Sequence, residues 1–223
     1  MSTPEGEVRY PPGPHPEPFW PALLCVAAAI ALQLSLPDRL VVGPTWLVPA
    51  LEAALLVGLV LVSRPMIEEE HPRRRTFALA LIGLVSAANI ASLSLLTHNL
   101  LHHKVTNGHE LIIAGAAIWL TNVLIFSLWY WQLDRGGPGK RASGEAEPPD
   151  FLFTQMDGAL AYTPADWTPV FVDYLFLGLM TATAFSPTDV MPLSPMAKCL
   201  VGLQSLISVV TLGLIISRAV NIL

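Results

Sequence analysis

Charged residues are scarce in this chain. Of its 223 residues, 13% are Asp, Glu, Lys or Arg and 53% are hydrophobic, whereas soluble domains carry about 25% charged residues. Apolar runs of about 18 residues or more recur along the sequence, which is typical of transmembrane helices. The scarcity of charge therefore argues against an ordinary soluble domain and predicts an integral membrane protein.

Sequence signatures of several chemistries are missing as well. The two cysteines, Cys25 and Cys199, lie far apart in apolar segments, which indicates small buried side chains, and there is no CxxC or haem-attachment motif. We find no phosphate-binding glycine loop and no Ser-His-Asp arrangement with supporting spacing. The net charge of −5 comes with no basic stripe beyond the cluster Arg73–Arg75. We therefore expect no enzymatic activity, no cofactor and no nucleic-acid binding.

The apolar runs predict an all-α, polytopic membrane protein. We divide the chain into a disordered polar tail, a four-helix transmembrane region, a polar loop that we expect to be mobile in part, and a C-terminal segment with the final span. These four parts are residues 1–18, 19–133, 134–168 and 169–223. The predicted full spans are 19–36, 46–62, 77–101, 111–131 and 195–220.

Segment 169–185 is ambiguous because of its length. About 17 helical residues rise about 26 Å, at the short limit for crossing a hydrocarbon core of roughly 30 Å. If the segment dips into the membrane and returns, the protein has five full transmembrane helices plus a short re-entrant helix. If it crosses, the protein has six full spans. We favour the first arrangement and keep the second as the alternative.

The string MTATAFSPTDVMPLSPMAK, residues 180–198, favours the re-entrant arrangement, because it resembles the pore-loop region of potassium channels. Counted without gaps, Thr183 and Ala184 fall on the paired threonines of the channel filter, and Asp189 falls on its aspartate. The resemblance covers about residues 170–220 and implies a cation pathway built by several chains. The whole chain also resembles uncharacterised bacterial multi-span membrane proteins that share this C-terminal half. The pore- or filter-like positions are Thr181, Thr183, Ala184, Phe185, Ser186, Pro187, Thr188 and Asp189.

The departure from the channel pattern argues against potassium selectivity. A potassium filter coordinates the ion with backbone carbonyls, and its glycines take conformations that other residues reach only at a cost. This chain has no glycine between Thr181 and Gly202, and Pro187 restricts both itself and Ser186. A short helix with a negative C-terminal dipole, hydroxyl groups at its mouth and Asp189 remain. That set suits a cation that keeps part of its water.

The charge distribution bears on the two arrangements. With six spans and both termini in the cytoplasm, nine of the twelve Lys and Arg residues lie inside, as the positive-inside rule expects. With a re-entrant segment whose filter opens outward, the count is reversed. Keeping the positive side inside turns the pore loop toward the cytoplasm. Both arrangements place the protein in the cytoplasmic membrane as a multi-pass protein.

Polar residues elsewhere in the predicted spans offer further candidates. Glu52, Asn89 and Asn122 lie inside apolar runs, where an acid usually faces a cavity or a partner and asparagines often hydrogen-bond between helices. His98 and His102 share a helix face at the i, i+4 spacing, which can hold a metal or contact a haem. Because no further ligand pattern supports them, we expect no metal site, and metal or haem binding is a weaker alternative.

The sequence thus predicts a pore-loop, cation-channel-like membrane protein that is not selective for potassium. Its partners are the lipid bilayer, inorganic cations and other copies of the same chain, four if they form a central pore. The alternative from another class is a non-conducting membrane scaffold or sensor. In that case 169–185 is an ordinary span, residues 186–195 form an ordinary loop, and the threonines bond their own helix.

Overall fold

The computed structural model of the chain describes residues 18–41, 44, 46–62, 72–101, 108–143, 147–156, 167–183 and 190–220, and this part is mostly helical. The helices are α1 (Trp20–Leu34), α2 (Leu47–Val62), α3 (Pro72–Leu101), α4 (Gly108–Leu133), α5 (Pro138–Ser143), α6 (Phe171–Thr183) and α7 (Pro195–Val220). Two short strands, β1 (Phe151–Phe153) and β2 (Val190–Pro192), pair in antiparallel fashion. Single 3-10 turns lie at Asp38–Leu40, Asp134–Gly136 and Thr154–Met156.

Three helical stretches are long and apolar enough to cross a membrane: Arg75–Leu101, Gly108–Gly136 and Pro195–Arg218, with mean hydropathies of 2.0, 2.2 and 2.3. Three shorter apolar helices accompany them: Trp20–Leu34, Leu47–Val57 and Phe171–Thr183. The predicted mainly α-helical fold is confirmed in the described residues, and these three helices are consistent with a membrane protein.

Element boundaries follow local sequence signals. The last helix, α7, has the predicted bounds and begins at Pro195. Proline is favoured in the first helical turn, because backbone N–H groups there have no partner within the helix and proline has no N–H. For the same reason α3 begins at Pro72, five residues before the predicted Phe77. The apolar run predicted the apolar part of α3 but not this polar extension.

The predicted polar loop 134–168 contains regular secondary structure where the structure describes it. It contains α5, β1 and two 3-10 turns. At its start the backbone takes positive φ values at Arg135 (54°), Gly136 (80°) and Gly137 (102°), a conformation that favours glycine and commonly ends helices. A Cβ atom at Gly137 would lie 2.9 Å from the Gln132 carbonyl oxygen. The two glycines therefore end α4 and turn the chain back over the C-terminal end of that helix.

Helix α4 is the centre of the bundle and contacts α1, α3, α6 and α7. We name the two ends of the bundle after residues at the ends of α4. At the Asp134 end, the Phe19 ring packs against Trp131 with centroids 5.1 Å apart. At the Arg39 end, Arg39 pairs with Glu110 at 2.7 Å, and the Asn99 side chain donates to the Arg39 carbonyl at 3.3 Å. Helices α1 and α3 thus start at the Asp134 end and finish at the Arg39 end.

Helices α6 and α7 both run antiparallel to α4. Phe171, at the start of α6, packs against Trp131 with centroids 5.7 Å apart. Near the end of α6, the Ala182 carbonyl accepts a hydrogen bond of 3.3 Å from the Trp119 indole. Late in α7, the Ile215 side chain fills the space beside Gly115. Both helices therefore begin at the Asp134 end. This is unexpected, because two consecutive helices usually run in opposite directions.

Strand β2 explains how two consecutive helices can start at the same end. It pairs with β1 in the register Phe151–Pro192, Leu152–Met191 and Phe153–Val190, and β1 lies at the Asp134 end. Helix α6 has 13 residues, which rise about 20 Å, so it ends partway along α4. By Val190 the chain is again at the end of the bundle where α6 began.

Close packing between α4 and α6 depends on Gly178. A Cβ atom at this position would lie 2.2 Å from the Ser127 Oγ and 3.1 Å from the Val123 carbonyl oxygen. Ser127 cannot move away cheaply, because its hydroxyl donates to Val123 of its own helix at 2.7 Å. The glycine therefore sets the distance between the two helices.

We predict that Gly178→Ala lowers the unfolding midpoint of the detergent-solubilised protein by several degrees, because overpacking costs about 1–3 kcal/mol. Thermal unfolding measures the shift. Gly202→Ala is the matched control, since nothing lies within 4 Å of a Cβ atom at that α7 position. Adding Ser127→Ala to Gly178→Ala should restore part of the loss. Equal midpoints for the two glycine variants would contradict the close packing.

Candidate functional site

The candidate site is α6 together with the residues that hold its two ends. Its start is fixed by a buried carboxylate at the Asp134 end. Asp134 is fully buried; its Oδ1 accepts hydrogen bonds from the backbone N–H groups of Asp150 (2.8 Å) and Phe151 (3.3 Å), and its Oδ2 accepts one from the Tyr174 hydroxyl (2.6 Å). One side chain thus joins the end of α4, the start of β1 and the first turn of α6.

Positive charge close to Asp134 balances its carboxylate. The Arg135 Nε lies 3.9 Å from Oδ2. Arg141 of α5 donates to the carbonyl oxygens of Trp131 (2.9 Å) and Asp134 (2.8 Å), and its guanidinium lies 5.4 Å from the centre of the Tyr174 ring. Arginine at this position caps the C-terminus of α4 and complements the negative end of its dipole. Burial of the Asp134 carboxylate is tolerable because these hydrogen bonds and positive charges compensate for the hydration that it loses.

Aromatic rings enclose the polar cluster. Phe153 of β1 packs edge-on against Tyr174 with centroids 5.5 Å apart, and Phe151 packs in the same way against Tyr130 at 5.1 Å. Edge-to-face pairs of this kind contribute about 0.5–1.5 kcal/mol beyond their buried area. The alternation in Phe151–Phe153 places both aromatic rings on one face of β1, toward the bundle. This face holds the β1–β2 pair on the end of α4 and α6.

The middle of α6 is held by a buried polar network. Gln204 of α7 is fully buried; its Nε2 donates to the Gly178 carbonyl at 2.7 Å, and its Oε1 accepts a hydrogen bond from the Tyr130 hydroxyl. Nearby, the Asn122 Nδ2 donates to the Ser208 hydroxyl at 2.9 Å. These bonds connect α4, α6 and α7 in an apolar surrounding, where an unmade hydrogen bond is expensive.

The end of α6 lies against the middle of α4. Two of the last four carbonyl groups of α6, which a helix leaves without an internal partner, accept side-chain donors. The Ala182 carbonyl accepts the Trp119 indole N–H, and the Met180 carbonyl accepts the Thr183 hydroxyl at 3.0 Å. Two of the carbonyl groups at the negative end of the α6 dipole are therefore already hydrogen-bonded within the protein.

Two of the eight predicted pore- or filter-like residues lie in the described part of the chain. Thr181 is 3% exposed and faces Tyr130, although its hydroxyl makes no hydrogen bond of ordinary geometry there. Thr183 bonds back to its own helix, as the alternative interpretation of the threonines expects. The other six, Ala184, Phe185, Ser186, Pro187, Thr188 and Asp189, lie outside the described residues.

The polar residues predicted inside the spans are buried. Glu52 is fully buried, and among the described residues neither of its carboxylate oxygens has a hydrogen-bond partner. Asn89 of α3 and Asn122 of α4 line one cavity of about 180 Å³ between α3, α4 and α7. Asn122 makes the interhelical hydrogen bond that its position suggested, to Ser208. The sequence did not indicate that Asn89 and Asn122 share a cavity.

The histidine pair cannot be assembled from the described residues. His98 lies in the last turn of α3, and His102 lies outside the described part of the chain. Within the described ranges, no group of three or more His, Cys, Asp or Glu side chains could hold a metal ion. Metal or haem binding gains no support from these positions.

Sequence reasoning missed the residues that fix α6 at its start and at its middle. These are Asp134, Arg141, Tyr174 and Gln204. A signal was present in LDRGGPGKR, residues 133–141, where an acid and a base precede a glycine turn directly after an apolar helix. That signal does not predict the hydrogen-bond donors to Asp134, which lie 16 to 40 residues away along the chain.

Comparison of the chain with protein-family models, with curated proteins and with solved structures finds no match.

We predict a strong coupling between Tyr174 and Asp134. Tyr174→Phe keeps the ring contact with Phe153 but removes the donor to a buried carboxylate, and a hydrogen bond to a charged group contributes about 1.5–3 kcal/mol. The unfolding free energies of Tyr174→Phe, Asp134→Asn and the double variant form a double-mutant cycle. We expect a coupling energy of about 1 kcal/mol or more. Additive losses would show that this bond does not hold α6.

Proposed function

We propose that the chain is a membrane protein with five full transmembrane helices, α1, α2, α3, α4 and α7, and that α6 is a re-entrant pore-type helix. One observation carries the proposal: the first turn of α6 and strand β2 lie at the same end of the bundle, at Asp134 and β1 respectively. With 13 residues α6 falls short of the roughly 30 Å hydrocarbon core. Helices α1 and α2, with 15 and 16 residues, are also short, so the shared end and not the length carries the proposal. An ordinary sixth span is expected to deliver the chain to the opposite end.

The charge count is compatible with this topology when the Asp134 end faces the cytoplasm, and it is the same as for six spans. Nine of the twelve Lys and Arg residues then lie inside and three outside, as the positive-inside rule expects. The inside set is Arg9, Arg64, Arg73, Arg74, Arg75, Arg135, Lys140, Arg141 and Lys198, and the outside set is Arg39, Lys104 and Arg218. The re-entrant helix therefore enters from the cytoplasm and returns to it, and the C-terminus lies outside.

The function that this arrangement supports best is a cation pathway. In pore-loop proteins a short helix aims the negative end of its dipole into the membrane, and here α6 is followed by Ser186, Thr188 and Asp189. The absence of glycine in this stretch argues against a potassium-type carbonyl filter and for a wider path that leaves the cation partly hydrated. Because Thr181 is buried inside one chain, we assign the lining to Thr183 and to the residues that follow it.

A pore of this type needs several copies of the chain, since each contributes one loop. Helix α7 offers a surface for assembly: large apolar side chains on it are exposed, and only 22% of its most apolar window is buried within the chain. Those side chains are Leu203, Leu206, Val209, Val210 and Ile216. In the bilayer this face meets lipid or a second copy, and a tetramer is the assembly that the channel resemblance implies.

A second candidate, a non-conducting scaffold or sensor, is favoured by a different observation. The network of Tyr130, Gln204 and Gly178 fixes α6 between α4 and α7, and Thr183 bonds its own helix. Both features suit a helix whose task is packing. The two candidates differ in whether the protein passes ions.

Ion flux into liposomes that contain the purified protein separates them. For the cation pathway we expect Na⁺ and K⁺ uptake above that of protein-free liposomes, with little preference between the two ions. Asp189→Asn should lower uptake severalfold, because it removes the acid at the mouth of the path. Asp38→Asn, an exposed acid in the turn before α2, is the control and should leave uptake unchanged.

Two results would count against the pathway. No uptake by the unsubstituted protein would favour the scaffold or sensor. Uptake that Asp189→Asn leaves intact would remove Asp189 from the path.

A further inference from the structure

A groove at the Asp134 end lies apart from the α6 site. It is formed by α1, α3, α4 and the first residues of α5, it is open at its mouth, and its cavity volume is about 40 Å³. Its walls are almost entirely apolar, with Phe19 and Val26 from α1, Leu81 from α3 and Leu128 from α4 among them. An open apolar groove along membrane helices suits a hydrocarbon chain, because a chain lying in it covers apolar surface.

Polar groups are confined to one end of this groove, where they have unused hydrogen-bonding capacity. Arg75, Trp131 and Gln132 line it, and among the described residues the Arg75 Nε, the Trp131 Nε1 and the Gln132 Oε1 are buried without a hydrogen-bond partner. Trp131 is 3% exposed and Gln132 is 5% exposed. Buried donors and acceptors without partners cost about 1–3 kcal/mol each, so three of them at one place indicate that something else completes the site.

The charge at this end selects the occupant. Arg75 carries a fixed positive charge and, with the Trp131 N–H, presents donors from two helices, α3 and α4. The acid that faces it is Glu147, whose carboxylate is held by Lys140. That hydrogen bond and the charges of Lys140 and Arg75 lower the pKa of Glu147, so Glu147 stays ionised and paired. Among the described residues Glu147 thus makes its close ion pair with Lys140, and the charge of Arg75 acts on it only from a longer distance.

We propose that this groove binds an anionic phospholipid. The phosphate lies against Arg75 and the Trp131 indole N–H, an acyl chain runs along Phe19, Val26 and Leu81, and a hydroxyl of the headgroup donates to the Gln132 amide oxygen. Basic pockets between transmembrane helices on the cytoplasmic side are typical sites for acidic headgroups. Arg73 and Arg74 directly precede Arg75, so this stretch of the sequence is basic.

Native mass spectrometry of the full chain in detergent tests the proposal. The probes are phosphatidylglycerol and phosphatidylcholine with the same acyl chains. We expect one phosphatidylglycerol to bind at least about tenfold more tightly than phosphatidylcholine. Both lipids carry the phosphate, but phosphatidylcholine adds a cationic choline that the positive charge of Arg75 repels, and it lacks the headgroup hydroxyl that donates to Gln132. Equal affinity for the two lipids would overturn the proposal, because the groove would then not select an anionic headgroup.

Matched variants locate the site. Arg75→Gln should reduce phosphatidylglycerol affinity about tenfold, Arg75→Lys less, and Trp131→Phe severalfold while keeping the ring contacts with Phe19 and Phe171. Arg218→Gln is the control, since its Nε is also buried without a partner but lies near the end of α7. An equal loss in Arg75→Gln and Arg218→Gln would contradict a specific groove.

A further arm distinguishes a lipid from a free anion. Millimolar inorganic phosphate should not displace phosphatidylglycerol, because the acyl chain supplies much of the binding. Complete displacement would show a phosphate site without a lipid requirement and would overturn the assignment. Circular dichroism of each variant in the same detergent confirms that the helical fold is kept.

Discussion

A carboxylate that is removed from water must find its hydrogen-bond donors within the protein, and Asp134 finds them in two distant segments. The backbone N–H groups at the start of β1 and the hydroxyl of Tyr174 in α6 converge on this side chain. Because Asp134 directly follows α4, these bonds fix the start of α6 at the end of the central helix. Since β1 in turn pairs with β2, the same carboxylate also determines where the chain lies just before α7.

This arrangement accounts for the unusual course of the C-terminal part. Helices α6 and α7 run in the same direction along α4, although only a short segment separates them. The Gln204 side chain bridges α7 to the Gly178 carbonyl of α6 and to Tyr130 of α4. A short helix held at its start by Asp134 and at its middle by Gln204 has a fixed depth in the bundle, which is what either a pore helix or a packing helix requires.

Much of the helical layout could be predicted from the sequence, because long apolar runs with flanking prolines and glycines are local signals. The bounds of α7 are an example, as is the end of α4 at the glycines after Arg135. The site could be predicted only in part. The pattern of threonines before Pro187 indicated a short helix that returns, but β1 and β2 have only three residues each and pair across a long separation, which local patterns do not encode. The donors to Asp134 are hidden from sequence for the same reason.

The central claim is that the chain before α6 and the chain before α7 lie on the same side of the membrane. Thr154→Cys and Met191→Cys, at exposed positions after β1 and within β2, test it most directly. Each is placed in a background without Cys25 and Cys199 and treated in intact cells with a membrane-impermeant maleimide, with Trp46→Cys marking the Arg39 end. We expect Thr154→Cys and Met191→Cys to be protected together until the cells are permeabilised, while Trp46→Cys reacts from outside. Reaction of Thr154→Cys and Met191→Cys from opposite sides would contradict the account, since α6 would then be a full span.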